Sequence, residues 1–132
     1  LDFESVALAG SMLGSGGVTV MEEGTDMVWA ALRLMEFFYH ESCGKCSPCR
    51  EGSSWLVQIM RRIVNKRGRM ADLETLTDLC KNIAGRTVCA FGDAEVSPIL
   101  STLKHWRHEY VAMIHAAEAA NLIRPEPAGA KH

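Results

Sequence analysis

Five cysteines occur in this chain of 132 residues, and three of them crowd into one short run at Cys43, Cys46 and Cys49. The spacing C-x2-C-x2-C places three thiolates around one tight loop, where they can bind three corners of an iron–sulfur cube without straining the backbone. Runs of this kind are typical of iron–sulfur ligation. A fourth corner is required, and Cys89 is the best candidate because it lies in a predicted loop just past a helix stop. The sequence therefore predicts a [4Fe-4S] cluster on these four cysteines.

The residues around the triplet suit an anionic cluster. Lys45 and Arg50 place positive charge beside the ligands, and Gly44 lets the backbone approach the sulfurs without a clashing Cβ. The Ser47-Pro48 pair is a favourable helix start, so the unpaired amides of a helix N-terminus would point at the same place. Glu41 has the wrong sign for this environment and would be repelled by the cluster unless its side chain turns away or pairs with a cation. A salt bridge to Lys45 or Arg50 would explain its presence here.

Other chemistries for the cysteines stay open at this point. Structural zinc is the main alternative, although zinc ligands usually come in two pairs separated by a longer spacer. A disulfide framework fits poorly with an odd number of cysteines and no secretory signal. Cys80 lies beside the inward stripe of a predicted helix, and a buried cysteine commonly behaves as a small hydrophobic residue, so we interpret it as part of the core.

Helices must position these residues, because helix formers dominate the composition and apolar residues recur at helical spacing after residue 25. The expected elements are a helix from residues 25 or 26 to near 40, a second from 47 into the basic segment 61–69, a third from near 72 to Gly85, and a last one from about 97 to 122. The last helix would be about 37 Å long, and residues 85–93 would form a loop. The predicted fold class is mainly α, a four-helix-type bundle that carries the cysteine loop.

A short β-containing segment is expected before the bundle. The turn Gly14-Ser15-Gly16-Gly17 precedes a β-like run at Val18–Met21. We interpret the glycines as a turn and not a phosphate loop, since the spacing is not G-x-G-x-x-G and no Lys closes it. Residues 125–132 are rich in Pro and Gly and are expected to be a disordered tail. The predicted organisation is therefore a short β-containing segment at residues 1–24, a helical domain that carries the cysteines at 25–124, and the tail at 125–132.

Composition argues against several classes of partner. The formal charge of −2 gives no broad basic footprint for nucleic acid. The basic segment 61–69 has no interleaved aromatic residues, so a solvated helix end or a protein contact is the better interpretation. The longest uncharged apolar stretches fall far short of a membrane span, and no signal peptide is visible. The chain starts at Leu1 in what reads as mid-domain sequence, which indicates a fragment of a larger protein.

Two segments together carry a family resemblance. They are Glu41-Ser42-Cys43-Gly44-Lys45-Cys46-Ser47-Pro48-Cys49-Arg50-Glu51-Gly52 and Gly85-Arg86-Thr87-Val88-Cys89-Ala90-Phe91-Gly92-Asp93. This two-part motif resembles the C-terminal third of the NADH-binding flavoprotein subunit of respiratory complex I. The resemblance covers most of the chain, up to about residue 115. The related subunits of NAD-reducing hydrogenases and NAD-dependent formate dehydrogenases are similar in this segment, and the residues do not separate them.

The resemblance implies a function that the residues alone do not give. In that family a flavin mononucleotide takes hydride from NADH and passes single electrons to a [4Fe-4S] cluster, whose ligands would be Cys43, Cys46, Cys49 and Cys89 here. Ala90 and Phe91 would lie on the flavin-facing side, and residues 1–24 would close out a β-grasp domain.

The same resemblance implies where the protein works and what it lacks. The flavin and NADH sites of the family lie in a part that this sequence does not contain, so this segment alone should not oxidise NADH. The implied partners are the other subunits of the peripheral arm of complex I. The implied location is the cytoplasmic face of a bacterial inner membrane or the mitochondrial matrix side, as a peripheral subunit without membrane insertion.

Overall fold

The computed structural model of the chain describes residues 2–120. Its elements are the helices α1 (Phe3–Leu8), α2 (Met27–Glu41), α3 (Ser47–Val64), α4 (Met70–Ile83), α5 (Phe91–His105) and α6 (Arg107–Ala119). The prediction of a mainly helical fold is confirmed. The first three predicted bundle helices correspond to α2, α3 and α4, each within a few residues of its predicted start.

The core lies between α2, α3, α4 and α5, and α6 closes one side of it. Within each bundle helix the buried residues recur every three, four or seven positions, which is the spacing that puts side chains on one helical face. Val28 and Met35 of α2, Leu56 and Met60 of α3, Leu73 and Leu76 of α4, Ile99 of α5, and Tyr110 and Ile114 of α6 are all fully buried. Their burial supplies the hydrophobic free energy that holds the bundle together.

The start of α2 is stabilised from two directions. Asp26 is the N-cap, and its carboxylate accepts a hydrogen bond from the backbone N–H of Trp29 at 2.9 Å. Glu109 of α6 accepts another from the backbone N–H of Met27 at 2.9 Å, across 82 positions of sequence. A carboxylate at a helix N-terminus satisfies free amides and complements the helix dipole. The bond to Glu109 fixes α6 against the end of α2 that is remote from the cysteines.

The prediction of a single long last helix is wrong. The chain turns at Trp106 between α5 and α6, and the hydroxyl groups of Thr102 and Tyr110 are 2.8 Å apart. In a straight helix these residues would be about 12 Å apart along the axis. The turn therefore lets Tyr110 fold back into the core. The predicted end at Leu122 lies outside the described residues.

The predicted start of α5 is also too late. The helix begins at Phe91, so the predicted loop 85–93 is shorter, and Pro98 lies inside the helix and does not open it. Pro98 cannot donate a backbone hydrogen bond, but the buried residues Val96 and Ile99 on either side keep the helix packed on the core. Tertiary packing of an apolar face outweighs the local cost of the proline.

The predicted strand before the bundle is not found in the structure. Residues 18–21 lie in irregular backbone, residues 2–120 contain no strand, and the first element is instead the helix α1. Val18 and Val20 are 73% and 91% exposed. A β-like run forms a strand only when another strand pairs with it, and none is available in this part of the chain. The predicted tail at 125–132 lies outside the described residues.

Among residues 2–120, the structure contains no helix that is both long enough and apolar enough to cross a membrane.

Candidate metal centre

The cysteine triplet lies at the junction of α2 and α3. After α2 ends at Glu41, Cys43 and Cys46 occupy the connecting loop, and Cys49 lies in the first turn of α3. Gly44 has φ 74° in this loop, a backbone conformation that other residues adopt at a cost. The guanidinium of Arg50 donates to the carbonyl oxygen of Gly44 at 2.9 Å, which pins the turn against the helix start. Because α3 begins at Ser47 with Cys46 as its N-cap and has no side-chain cap, the free amides of its first turn lie at the end of the helix next to the triplet.

The three cysteines of the triplet differ in exposure. Cys43 is exposed, Cys46 is half-buried, and Cys49 is buried at 7% exposure. Burial raises the pKa of the Cys49 thiol; a hydrogen bond with Ser42, 3.2 Å away, acts in the opposite direction. The site is therefore open on the Cys43 side and closed against the core on the Cys49 side.

Cys89 is exposed and lies immediately before α5, in the loop that follows α4. This loop contacts the triplet loop directly, because the backbone N–H of Val88 is 3.4 Å from Sγ of Cys46, across 42 positions of sequence. The ring of Phe91 packs edge-on against Phe38 in the last turns of α2, with centroids 5.5 Å apart. The fold thus brings the segment containing the fourth cysteine beside the segment containing the other three.

Two internal bonds shape the Cys89 loop. The hydroxyl of Thr87 donates to the carbonyl oxygen of Cys89 at 2.8 Å, and the carboxylate of Asp93 accepts from the backbone N–H of Gly85 at 2.8 Å. Gly92 packs so closely on Thr87 that an added Cβ would lie 2.6 Å from its Cγ2. The position of the loop relative to α5 therefore depends on a glycine at residue 92.

A buried carboxyl group lies behind Cys49, and sequence reasoning missed it. Glu95 of α5 is fully buried, and its Oε2 is 3.4 Å from Sγ of Cys49. Desolvation raises the pKa of Glu95 to about 7. A single acidic residue between Ala94 and Val96, six positions after the ligand candidate Cys89, was the only available signal. This signal shows that an acidic residue lies near the cysteine loops in sequence, but it does not show which way the Glu95 side chain points.

Of the two possibilities for Glu41, the salt bridge to Lys45 or Arg50 is not formed in the described part of the chain. Glu41 is 3.0 Å from Nδ1 of His40, and Arg50 pairs instead with Glu51 at 2.9 Å. Both observed pairs join residues that are adjacent in sequence, so they form without fixing the conformation of the loop between α2 and α3. The guanidinium of Arg50 is also held by its hydrogen bond to the carbonyl oxygen of Gly44. Lys45 remains exposed beside the candidate ligands, and it takes part in none of the ion pairs among residues 2–120.

Cys80 lies in the core, as predicted. It is fully buried on α4 among the apolar residues of the bundle. Burial raises the pKa of its thiol to about 12, with the nearby Glu95 adding to the effect. A thiol in this environment stays protonated at neutral pH and behaves as a small hydrophobic group.

The donor set suits an iron–sulfur cube better than a single ion. Within residues 2–120, no three His, Cys, Asp or Glu side chains converge closely enough to hold one metal ion between them. A cube makes a different demand, since each cysteine binds its own iron and the four sulfurs are spread around the cluster. Three thiols from one loop, a fourth from an adjacent loop, and backbone amides such as that of Val88 aimed at sulfur meet this demand.

Comparison with known proteins decides the family. Residues 29–113 match the family described as the NADH-ubiquinone oxidoreductase-F iron-sulfur binding region. The chain belongs to this family. The match includes the whole cysteine triplet, the loop with Cys89 and the helices that hold them, and the family's description supports a [4Fe-4S] cluster in this segment.

Curated relatives of this NADH-ubiquinone oxidoreductase-F iron-sulfur family give the same result. The chain is 54% identical over 114 residues to the second F-type subunit of NADH-quinone oxidoreductase of Rhizobium meliloti (strain 1021), which covers 86% of this chain and 27% of the relative. It is 52% identical over 110 residues to the F-type subunit of NADH-quinone oxidoreductase of Streptomyces coelicolor (strain ATCC BAA-471 / A3(2) / M145), covering 83% and 24%. The chain thus spans about a quarter of the length of these relatives.

A solved structure has the same fold. The NAD+-reducing [NiFe]-hydrogenase in its H2-reduced state superposes with a TM-score of 0.69 at 25% identity, over 82% of this chain and 21% of that one. The family match and the structural match cover most of the same part of the chain, the helical bundle with the cysteine loops.

Proposed function

We propose that this chain is an electron-transfer module that holds one [4Fe-4S] cluster on Cys43, Cys46, Cys49 and Cys89. The contact between the backbone N–H of Val88 and Sγ of Cys46 supports this proposal most directly. It brings together two cysteine-containing segments that are distant in sequence and that nothing else about a helical bundle requires to meet. The bound cluster would supply one-electron chemistry, accepting and releasing single electrons.

The residues of the chain then have separate roles. The four thiolates would bind the irons, and Lys45 and Arg50 would offset their negative charge. The free amides at the start of α3 and the N–H of Val88 would stabilise the anionic sulfurs. Gly44 would keep the loop close to them. Burial of Cys49 excludes water from one side of the site, while the exposed Cys43 and Cys89 leave the other side accessible to a redox partner.

The wider context is also a proposal, because the relatives are about four times as long as this chain. We infer that the chain is part of an NADH-quinone oxidoreductase, in which an N-terminal part binds NADH and FMN and reduces this cluster. Residues 1–24 would close out a β-grasp domain, and 25–124 would be the cluster domain. Its partners would be subunits of the peripheral arm, at the cytoplasmic face of a bacterial inner membrane or the matrix side in mitochondria.

A second candidate has support from one observation. The similarity to the NAD+-reducing [NiFe]-hydrogenase favours the equivalent segment of a hydrogenase as an alternative context for the same module. Copurification distinguishes these two contexts. Other subunits of an NADH-quinone oxidoreductase among the copurified proteins would support the first, and a nickel–iron hydrogenase subunit would support the second.

Anaerobic metal analysis tests the module itself. Protein reconstituted without oxygen should contain about four irons and four sulfides per chain, with a thiolate-to-iron absorption band that bleaches on dithionite reduction. Cys89→Ser should disturb this band, and the matched control Cys80→Ser should leave it intact. One zinc without sulfide in protein never exposed to air would identify a zinc-stabilised docking domain instead. Loss of the cluster in the Cys80 variant alone would show that the ligand assignment is wrong.

A further inference from the structure

The carboxyl group of Glu95 has an unusual position. The side chain is fully buried, its Oε2 contacts Sγ of Cys49 at 3.4 Å, and its Oε1 has no hydrogen-bond partner. None of the ion pairs formed within residues 2–120 includes Glu95. A carboxyl group buried without a cation would be expensive to keep, since desolvation is not compensated. Its location against a ligand candidate suggests a specific purpose.

A carboxyl group that carries its proton has one O–H donor. In the structure the free thiol of Cys49 can donate to Oε2. Once that sulfur binds iron it carries no proton and can only accept. The contact of 3.4 Å between Oε2 and this sulfur then remains a hydrogen bond only if Glu95 supplies the proton. The hydroxyl of Ser42, in the loop between α2 and α3, lies 3.2 Å from the same sulfur. Binding of the cluster would reverse the direction of this hydrogen bond.

We propose that Glu95 donates a hydrogen bond to the cluster-bound sulfur of Cys49 and thereby raises the reduction potential of the cluster. This inference rests on the proposed function. Reduction adds negative charge to the cluster and its sulfurs, so a donor stabilises the reduced state more than the oxidised one. Hydrogen bonds to the sulfurs are among the protein's means of setting such potentials. Cys49 is the buried ligand of the set, where water is excluded and one hydrogen bond has its largest electrostatic effect.

Two other roles for Glu95 make different predictions. If the side chain only filled space, an apolar residue of similar size would replace it without changing the potential. If it were an ionised carboxylate, its negative charge would oppose reduction, and its removal would raise the potential. A neutral donor alone predicts a lower potential when the group is removed.

The test is an EPR-monitored redox titration of the cluster-loaded chain at neutral pH. Glu95→Met removes the donor at nearly constant volume, and Glu95→Gln keeps an N–H donor. We expect Glu95→Met to lower the equilibrium constant for one-electron reduction about tenfold, which is about 59 mV, while Glu95→Gln stays near the wild type. Thr102→Val serves as the control, because it changes another buried polar residue of α5 that does not contact a candidate ligand.

Every outcome of this titration is decisive. A potential that is unchanged or higher in Glu95→Met overturns the inference, and so does a Glu95→Gln potential as low as that of Glu95→Met. If Glu95→Met holds no cluster, Glu95→Ala takes its place with the same expected fall. If neither holds one, the Glu95→Gln potential decides, and a tenfold shift from the wild type overturns the inference. Failure of the wild type to hold iron and sulfide is the separate failure of the proposed function.

Discussion

The backbone N–H of Val88 lies 3.4 Å from Sγ of Cys46, although the two residues are 42 positions apart. The contact joins the loop before α3 to the loop before α5, and most of the other bonds in these loops are internal to their own segment. Segments with little buried apolar area and exposed backbone open readily. A cofactor bound by both loops would add its binding free energy to this contact.

Cluster binding should therefore slow amide hydrogen exchange in residues 41–52 and 86–93. Because metal ligands couple binding to local order, the expected protection is at least tenfold over the apo chain. Hydrogen exchange with mass spectrometry measures it, with peptides from α6 as the internal control, since that helix lies away from both loops. Equal exchange in the two loops with and without cluster would contradict the ligand assignment.

Gly92→Ala should reduce the cluster content of the chain. The new Cβ would lie 2.6 Å from Cγ2 of Thr87, and relief requires the Cys89 loop to move away from α5. Thr87→Ala removes the atoms in conflict, so the double variant should recover part of the loss. Iron and sulfide per chain after anaerobic reconstitution is the measurement. Gly17→Ala is the matched control, because an added Cβ there meets nothing within 4 Å. A Gly92→Ala chain with full cluster content would show that the loop adapts freely.

The sequence was sufficient to predict the features that depend on local chemistry. The spacing of Cys43, Cys46 and Cys49 predicts a tight loop next to a helix start, and the structure has that loop. The same holds for Cys80, since its place beside the apolar stripe of α4 already indicates burial. These predictions succeed because residue type and helical period determine them without knowledge of the rest of the fold.

Features that depend on distant contacts were not predictable in the same way. Pro98 is a good local signal for a helix start, yet packing of Val96 and Ile99 on the core extends α5 past it. The turn at Trp106 depends on where Tyr110 finds a partner. Glu95 was missed because only the assembled bundle shows that its carboxyl group faces Cys49. Each of these depends on tertiary contacts that outweigh local preference.

Gly52→Ala should destabilise the bundle at the contact between α3 and α4. The added Cβ would lie 2.5 Å from Cδ1 and 2.7 Å from Cγ1 of Ile83, which is itself buried at 2% exposure. Overpacking of this kind costs about 1–3 kcal/mol of unfolding free energy. Ile83→Val removes Cδ1, so the double variant should lose less than the sum of the two single variants. Urea unfolding gives the unfolding free energy of the wild type, the two single variants and the double variant. If the two losses of unfolding free energy simply add in the double variant, the packing between α3 and α4 is loose at this contact.

Alkaline pH should destabilise the fold through Cys80. In the folded chain the pKa of this thiol is raised from 9.0 to about 12, mainly by burial. Between these values the unfolded chain binds fewer protons than the folded one, so stability falls as pH rises. At pH 10 the effect amounts to about 1.4 kcal/mol, and at pH 8 it is close to zero.

Cys80→Ala isolates this contribution. The variant should be less stable than the wild type at pH 8, because removing the thiol leaves a small cavity in the core. Its stability should then depend less on pH, so the gap between the two chains should narrow by about 1.4 kcal/mol at pH 10. Tyr110, whose pKa is raised to about 12 by burial, is present in both chains and cancels in the comparison. Urea unfolding of both chains under reducing conditions gives the gap at each pH. Parallel pH profiles would mean that the thiol of Cys80 ionises as easily in the folded chain as in the unfolded one.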